Sequence, residues 1–201
     1  MSVKDYETRL YVKDNLSIGK SLVLKNDQSH YIRSVLRLKE NSQIALFNGE
    51  EGEWLSTIKI ISKKFVELEV IEQIKLQDVI SDIWLVFAPI KRTRIDYLAQ
   101  KATELGAGAL WPIFTKYTSV SRVNAERLRS NSIEAAEQSG RLTVPKILDP
   151  IDFDTLIEKW PHDRDLFCLD ETGKGAPILD AFRSSHQRAS ALLIGPEGGF
   201  A

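Results

Sequence analysis

The sequence predicts an α/β protein in two parts: a small β-barrel-like domain, then an α/β domain on a mostly parallel sheet. Three observations carry this reading. Between Thr8 and Ile71, short runs rich in β-branched and aromatic residues follow one another with a single helical interruption. After residue 81 the rhythm changes to strand and helix in alternation, which implies parallel strands with helices on both faces. The last eleven residues, ALLIGPEGGFA, lead an apolar strand into a glycine-rich loop, a favoured place for a small-molecule site in such a sheet.

In the first part, TRLYV, SLVLK, QIALF, EWLSTIKII and FVELEVI read as strands, and Asn48-Gly49 marks a hairpin between the third and fourth. Asp27 is placed to cap a helix on which His30, Arg33 and Arg37 recur at helical spacing, with Ile32, Val35 and Leu36 apolar. Residues 73–81, QIKLQDVIS, read as a linker, so the domains are 1–72 and 82–201. In the second part the strand DIWLVFAP precedes a helix from Thr93 to Leu105 that Gly106 ends. A strand at Ala109 to Phe114, a helix from Asn124 to Ser139 and a short strand near Val144 to Leu148 follow. Then come a helix at Asp152 to Lys159, the strand DLFCLD, a helix near Pro177 to Ser185 and the final strand ALLI.

Composition narrows the function classes. Of 201 residues 43% are hydrophobic and 27% charged, the balance of a globular chain with a core. No apolar run approaches the ~20 residues of a membrane span, and MSVKDYETRLYV lacks the apolar core of a secretory signal. Cys168 is alone, so no internal disulfide forms, as expected of a cytoplasmic protein, and its setting LFCLD reads as a buried structural thiol. His30, His162 and His186 are scattered, so no metal site is expected. The formal net charge of -1 does not by itself favour nucleic acid, but residues 1–40 hold 8 basic against 5 acidic side chains, and residues 81–145 hold 9 against 6.

Four constellations carry chemistry. His30, Arg33 and Arg37 suit contact with phosphates, where arginine bonds in pairs and affinity depends on salt; as a plain solvated helix face they would do nothing. Lys91, Arg92 and Arg94 stand just past a strand's carboxyl end and are placed to hold polyanion. Lys101 and Glu104 read either as part of that site or as an intrahelical ion pair. In EAAEQSGRLTVP, Glu137 and Gln138 suit a base edge and Arg141 an anion, against a plain capped helix end with Gly140 and Arg141 at the dipole. The loop GPEGG matches neither the dinucleotide fingerprint nor the phosphate-binding loop, so a nucleotide-phosphate enzyme of another α/β type is the weakest reading.

Together HYIRSVLRLK, IALFNGEEGEW, FAPIKRTRIDYLAQKATELGA, EAAEQSGRLTVP and LLIGPEGGF resemble, in order and across essentially the whole chain, the RsmE-type 16S rRNA (uracil-N3) methyltransferases of the SPOUT superfamily. The resemblance implies a PUA-like β-barrel for RNA and a SPOUT α/β domain with a trefoil knot. It implies a homodimer that takes S-adenosyl-L-methionine and methylates N3 of one uridine in 16S rRNA of the 30S ribosomal subunit. Carried over residue by residue, Leu193, Gly195, Pro196, Glu197, Gly198 and Gly199 match the cofactor motif. Arg9, His30, Arg33, Arg37, Lys91, Arg92 and Arg94 are the expected RNA contacts, and Glu137 and Arg141 match a motif near the active cleft, as base and anion stabiliser. Two departures stand out. Tyr117 occupies a position where many members have arginine, and the family continues past GPEGG to a segment resembling LGPRILRTETA that this sequence does not include. The expectation is therefore a C-terminally truncated methyltransferase domain with an incomplete knot, and the alternative is a truncated, non-catalytic RNA-binding protein.

Overall fold

The computed structural model describes residues 6–79, 81–169, 172–185, 189–196 and 199–200, and the side chains of Arg92 and Thr93 lie outside that description. The chain divides into two compact units, Met1–Val79 and Ile80–Ala201.

In the first unit the strands are β1 (Arg9–Tyr11), β2 (Ser21–Lys25), β3 (Gln43–Phe47), β4 (Glu53–Ile61) and β5 (Phe65–Lys75). They form one sheet in the order β1-β3-β4-β5-β2, with β1 parallel to β3 and the other pairs antiparallel. The long β4–β5 pair carries register shifts at Glu53/Trp54, Leu55/Ser56 and Ile58/Ile60. Such bulges raise the local twist, so the sheet curls into a half-barrel around Leu22, Leu24, Ile32, Ile44, Ile58 and Leu68. The Asn48-Gly49 hairpin is present as a five-residue connection: Asn48 Oδ1 accepts the N–H of Glu50 (3.0 Å) and Glu51 (3.1 Å), and Gly49 takes φ 91°. Strand β5 runs on to Lys75, because Trp54 and Glu53 give Gln73 and Lys75 partners, so it absorbs the first residues expected in the linker.

Among the described residues of this unit there is one α-helix, α1 (Asn26–His30), which passes into a π-helical turn over Tyr31–Val35. Its N-cap is Lys25, with no side-chain cap; Asp27 lies inside the first turn, where its charge suits the helix dipole, and does not cap.

The second unit comprises β6 (Ile83–Phe87), α2 (Arg92–Glu104), β7 (Ala109–Phe114), α3 (Ala125–Ser139), β8 (Lys146–Ile147), β9 (Ile151–Asp152), α4 (Phe153–Glu158), β10 (Asp165–Leu169), α5 (Ile178–Ser184) and β11 (Ser190–Ile194). All its strand pairs are parallel, in the order β10-β11-β6-β7-β8, and the end of β7 pairs with β9. Alternation along β6 splits the core between the two faces. Phe87 packs with Ala99, Leu110 and Leu128 under α2 and α3, while Val86 packs with Ile113, Leu156, Ala191 and Leu193.

The latest strand in sequence, β11, lies between β10 and β6, and Arg164 ties all three at their starts. Its side chain is 5% exposed. Nη1 donates to the carbonyls of Asp82 (2.8 Å) and Ser190 (3.2 Å), and Nη2 to Asp82 Oδ1 (2.6 Å). The guanidinium also lies 3.7 Å from the centre of the Trp84 ring, which meets Trp111 edge-on while Trp111 stacks on Trp160. Cys168 departs from expectation: it is exposed, because β10 is the outer strand of the order and its last residues lack cover on one face.

Replacing Arg164 by Met takes the guanidinium donors from the buried Ser190 carbonyl and from Asp82, whose carbonyl keeps only the Ser190 N–H. Urea unfolding is expected to show a loss of about 2–4 kcal/mol, and Arg164→Lys is expected to recover only part of it, since one ammonium cannot reach all three acceptors.

Candidate functional site

Leu169, Ile194 and Phe87 terminate β10, β11 and β6 in register, so the segments that follow leave the sheet side by side at its carboxyl edge. The Ala88 N–H donates to the Ile194 carbonyl (3.0 Å), extending the contact one residue past the strands. Beyond Ile194 the loop turns back on itself. The Gly199 N–H donates to the Pro196 carbonyl (2.9 Å) with Gly199 at φ 80°, and Phe200 returns to stack on Phe153, 5.2 Å between centroids. A Cβ on Gly195 would stand 2.6 Å from the Phe200 ring, so this position admits only glycine unless the ring leaves. Glu197 and Gly198 lie outside the described residues. Leu193 is 2% exposed and belongs to the core, so its side chain anchors the strand beneath the loop. Beside the loop, Cys168, Leu169, Gly173, Gly175, Ile178 and Ala181 line a cavity of about 570 Å³ between β10 and α5.

A second cavity, of about 480 Å³, lies at the same edge, where α2 and α3 begin. Ile90, Ile95 and Leu128 give it apolar walls, and Ser119, Ser121 and Asn124 give it polar ones. Asp96 and Arg127 meet there as a forked ion pair, Nε to Oδ1 (2.8 Å) and Nη2 to Oδ2 (2.5 Å), and Asn131 Nδ2 also donates to Oδ1 (2.7 Å). The hydrogen bond from Arg127, aided by Asn131 and working against partial burial, holds the Asp96 carboxyl below its ordinary range. Asn124 Oδ1 caps α3 by accepting the Arg127 N–H (3.0 Å). Lys91 and Arg94 are exposed at the start of α2, and the Arg92 side chain lies outside the described residues. Tyr117 is about half exposed on the loop after β7. Lys101 and Glu104 form an intrahelical ion pair (2.7 Å), away from either cavity lining.

Glu137 and Arg141 are not brought to this edge. Helices in a parallel βα unit run back against the strands, so α2 and α3 end at the sheet's amino edge. Gly140 ends α3 at φ 77°, and Arg141 Nε donates to the Glu104 carbonyl (2.9 Å) at the end of α2, its guanidinium lying over Gly106. The pattern EQSGR thus builds a shared helix terminus, which places Glu137 and Arg141 at the sheet's amino edge.

In the first unit, Arg33 donates to the carbonyls of Ser62 (3.3 Å) and Lys63 in the β4–β5 turn. Glu40 Oε1 accepts the Ile61 N–H (3.4 Å), which lays residues 37–40 along the same hairpin. Exposed His30, Arg37, Lys39, Lys63 and Lys64 therefore share one region with Arg33. Lys63 and Lys64 were not among the expected contacts; a lysine pair in a turn carries no local mark of what packs beside it. Arg37 does not continue the helix face. The Leu38 N–H returns to the Ile32 carbonyl (3.1 Å), and Arg37 closes the helix at φ 55°, a place usually held by glycine. Arg9 corrects another expectation: it is 9% exposed, ion-paired with Glu53 and 4.6 Å from the Phe47 ring centre, hence part of the interior.

Comparison with known proteins adds three findings. The profile of an RNA methyltransferase domain matches residues 77–201, and that of an RNA methyltransferase PUA domain matches residues 24–71. Ribosomal RNA small subunit methyltransferase E of Rickettsia conorii is 34% identical over 193 residues, covering 96% of this chain and 79% of that protein; the Bacillus subtilis protein of the same name is 29% identical over 200 residues, covering 93% and 78%. The crystal structure of ribosomal RNA small subunit methyltransferase E from Neisseria gonorrhoeae bound to S-adenosyl methionine aligns with a TM-score of 0.84 at 27% identity, covering 96% of this chain and 81% of that one.

The Asp96–Arg127 pair makes a pH prediction. Because the folded pKa of Asp96 is lowered, its contribution to stability is fully present above the unfolded value, about 4, and is lost as pH falls through the folded value. Denaturant titrations from pH 7 to pH 3 are expected to show this acid-dependent loss of stability in the native chain and to show it diminished in Asp96→Asn.

Proposed function

The chain belongs to the RNA methyltransferase family, with a PUA domain ahead of the methyltransferase domain, and on that premise we propose that it methylates N3 of a specific uridine in 16S rRNA, using S-adenosyl-L-methionine. The observation that carries this reading is the glycine loop after β11, seated between the ends of β10 and β6. The residues present fit that cofactor: left-handed Gly199 leaves its backbone open to a ligand, and the apolar cavity beside β10 suits an adenosyl group. When bound, the cofactor supplies an electrophilic sulfonium methyl.

Pro196, Gly195 and Gly199 would hold it by backbone, with Glu197 and Gly198 of the same motif, while Leu193 anchors the strand beneath. The reaction forms N3–CH3, breaks S–CH3 and releases the N3 proton, leaving S-adenosylhomocysteine. Holding the base in line with the methyl supplies up to ~7–11 kcal/mol of the acceleration. Since N3 lies on the pairing edge, the uridine must be unpaired or turned out of the helix. Lys91 and Arg94, with Arg92, would grip backbone phosphates at the sheet edge, and the Arg33, Arg37, Lys63 and Lys64 region would grip RNA on the first unit. The same reading takes the second unit as a SPOUT domain with the family's knot, acting as a cytoplasmic homodimer on the 30S subunit; the five ordered motifs support it.

Calorimetry with S-adenosyl-L-methionine tests the core of this reading. Saturable binding is expected, weakened at least tenfold in Gly195→Ala, where the added methyl displaces Phe200. No binding by the native chain would remove the enzymatic reading, and RNA retention alone would then leave an RNA-binding protein.

Arg37→Gly separates grip from fold. Glycine relieves the left-handed strain, about 1 kcal/mol, so the melting midpoint is expected to hold or rise. RNA affinity is expected to fall across sequences, with the salt slope reduced by about one.

A further inference from the structure

We propose that Arg33 is a positioning residue for RNA: it holds the β4–β5 turn so that Lys63 and Lys64, with exposed Arg37 and Lys39 beside them, meet the phosphates. This role rests on the reading of the region as an RNA grip, and it divides the work within that grip.

The two lysines are the central residues of the turn, which the Ser62 N–H closes by donating to the Phe65 carbonyl (2.9 Å). Neither takes a positive φ, the conformation that lets so short a turn follow the twist of its strands. Side chains hold the turn instead. Ser62 Oγ accepts the N–H of Lys64 (3.2 Å) and of Phe65 (3.0 Å), and donates to the Phe65 carbonyl (3.1 Å). With the Phe65 N–H taken by that hydroxyl, the Ser62 carbonyl turns to Arg33. Arg33 Nη1 donates to it (3.3 Å) and to the Lys63 carbonyl, while Nε lies 3.4 Å from Ser34 Oγ.

Electrostatics favour the same division. Two carbonyl oxygens at a turn present negative partial charge to any polyanion that approaches. The half-buried guanidinium covers them, and the Lys63 and Lys64 side chains stay exposed. Glu40, an acid at this end, is committed to the Ile61 N–H (3.4 Å), with Arg37 and Lys39 close by in the chain. Further along the hairpin, Glu67 accepts from Ser21 Oγ (2.9 Å) and Glu69 holds Lys59 (2.6 Å), so a cation there is already neutralised. Phosphate is repelled along that stretch and drawn to the turn.

The test measures binding of a 16S rRNA transcript by the full chain across a range of salt concentrations. Ser62→Ala removes no charge, yet it is expected to weaken binding about fivefold and to lower the salt slope, because both lysines lose their placement. Arg33→Gln is expected to weaken binding about tenfold in the native chain, but less than about twofold in a background carrying Lys63→Ala and Lys64→Ala. Hydrogen exchange at the Lys64 and Phe65 amides, read without RNA, is expected to quicken about tenfold in Arg33→Gln. A guanidinium that touched phosphate itself would cost the same factor in both backgrounds and leave Ser62→Ala binding at the native level. Either result would overturn the positioning role, as would unchanged exchange in Arg33→Gln. If Arg33→Gln does not fold, Ser62→Ala decides alone. Binding by the native chain with equal losses in both backgrounds keeps the RNA grip and removes the role of Arg33; no binding by the native chain removes the grip itself.

Discussion

The register of β11 between β10 and β6 is the constraint on which the candidate site depends. Side chains alternate along a strand, so a slip of one residue would turn Ala191 and Leu193 out of the core and carry Ile194 into it. Arg164 pins that register from the amino edge, through the carbonyls of Asp82 and Ser190. What appears at the opposite edge, where Leu169, Ile194 and Phe87 end level, follows from where those three strands begin. A buried guanidinium at one end of the sheet thus sets the loop geometry at the other. The face of Trp84, itself packed edge-on against Trp111, gives it polarisable surface, which lowers the cost of keeping a charge out of water.

Local structure was legible because it depends on neighbours in sequence. The alternation of SLVLK appears as a strand with Leu22 and Leu24 inward, the Asn48-Gly49 signal as a hairpin, and Gly140 as the left-handed end of α3. The loop after the last strand was legible as a turn at a strand's end, since glycine spacing is itself a local signal. Partners across the chain were not. Arg9 and Arg164 look like any surface cation until Glu53 and Asp82 are seen beside them. Cys168 looked interior from its apolar neighbours, but exposure depends on which strand is outermost, and no short pattern states that. The π-helical turn over Tyr31–Val35 broke the spacing that would have aligned Arg37 with Arg33.

These corrections alter the electrostatic picture. A count of cations along the sequence overstates what the surface offers, because Arg9 and Arg164 are consumed by the interior and Arg33 is largely committed to two carbonyls. Lys63 and Lys64 restore part of the field at the same hairpin, supplied by a segment whose sequence is otherwise acidic. The left-handed Arg37 is the informative case. A backbone conformation that favours glycine is occupied by the side chain with the most hydrogen-bond donors, which is how a functional demand looks when it overrides local propensity.

The central place of β11 also bears on how the protein comes into being. On a ribosome, β6 and β10 emerge well before the strand that will join them, and until Ser190–Ile194 follows, each presents an unpaired edge to the cell. Closing the sheet joins Phe87 to Ile194 across most of the second unit's length, a contact of high sequence separation that forms slowly. Nascent chains should therefore lean on holding chaperones during this interval, and translation pauses upstream of Ser190 would lengthen the window in which they aggregate.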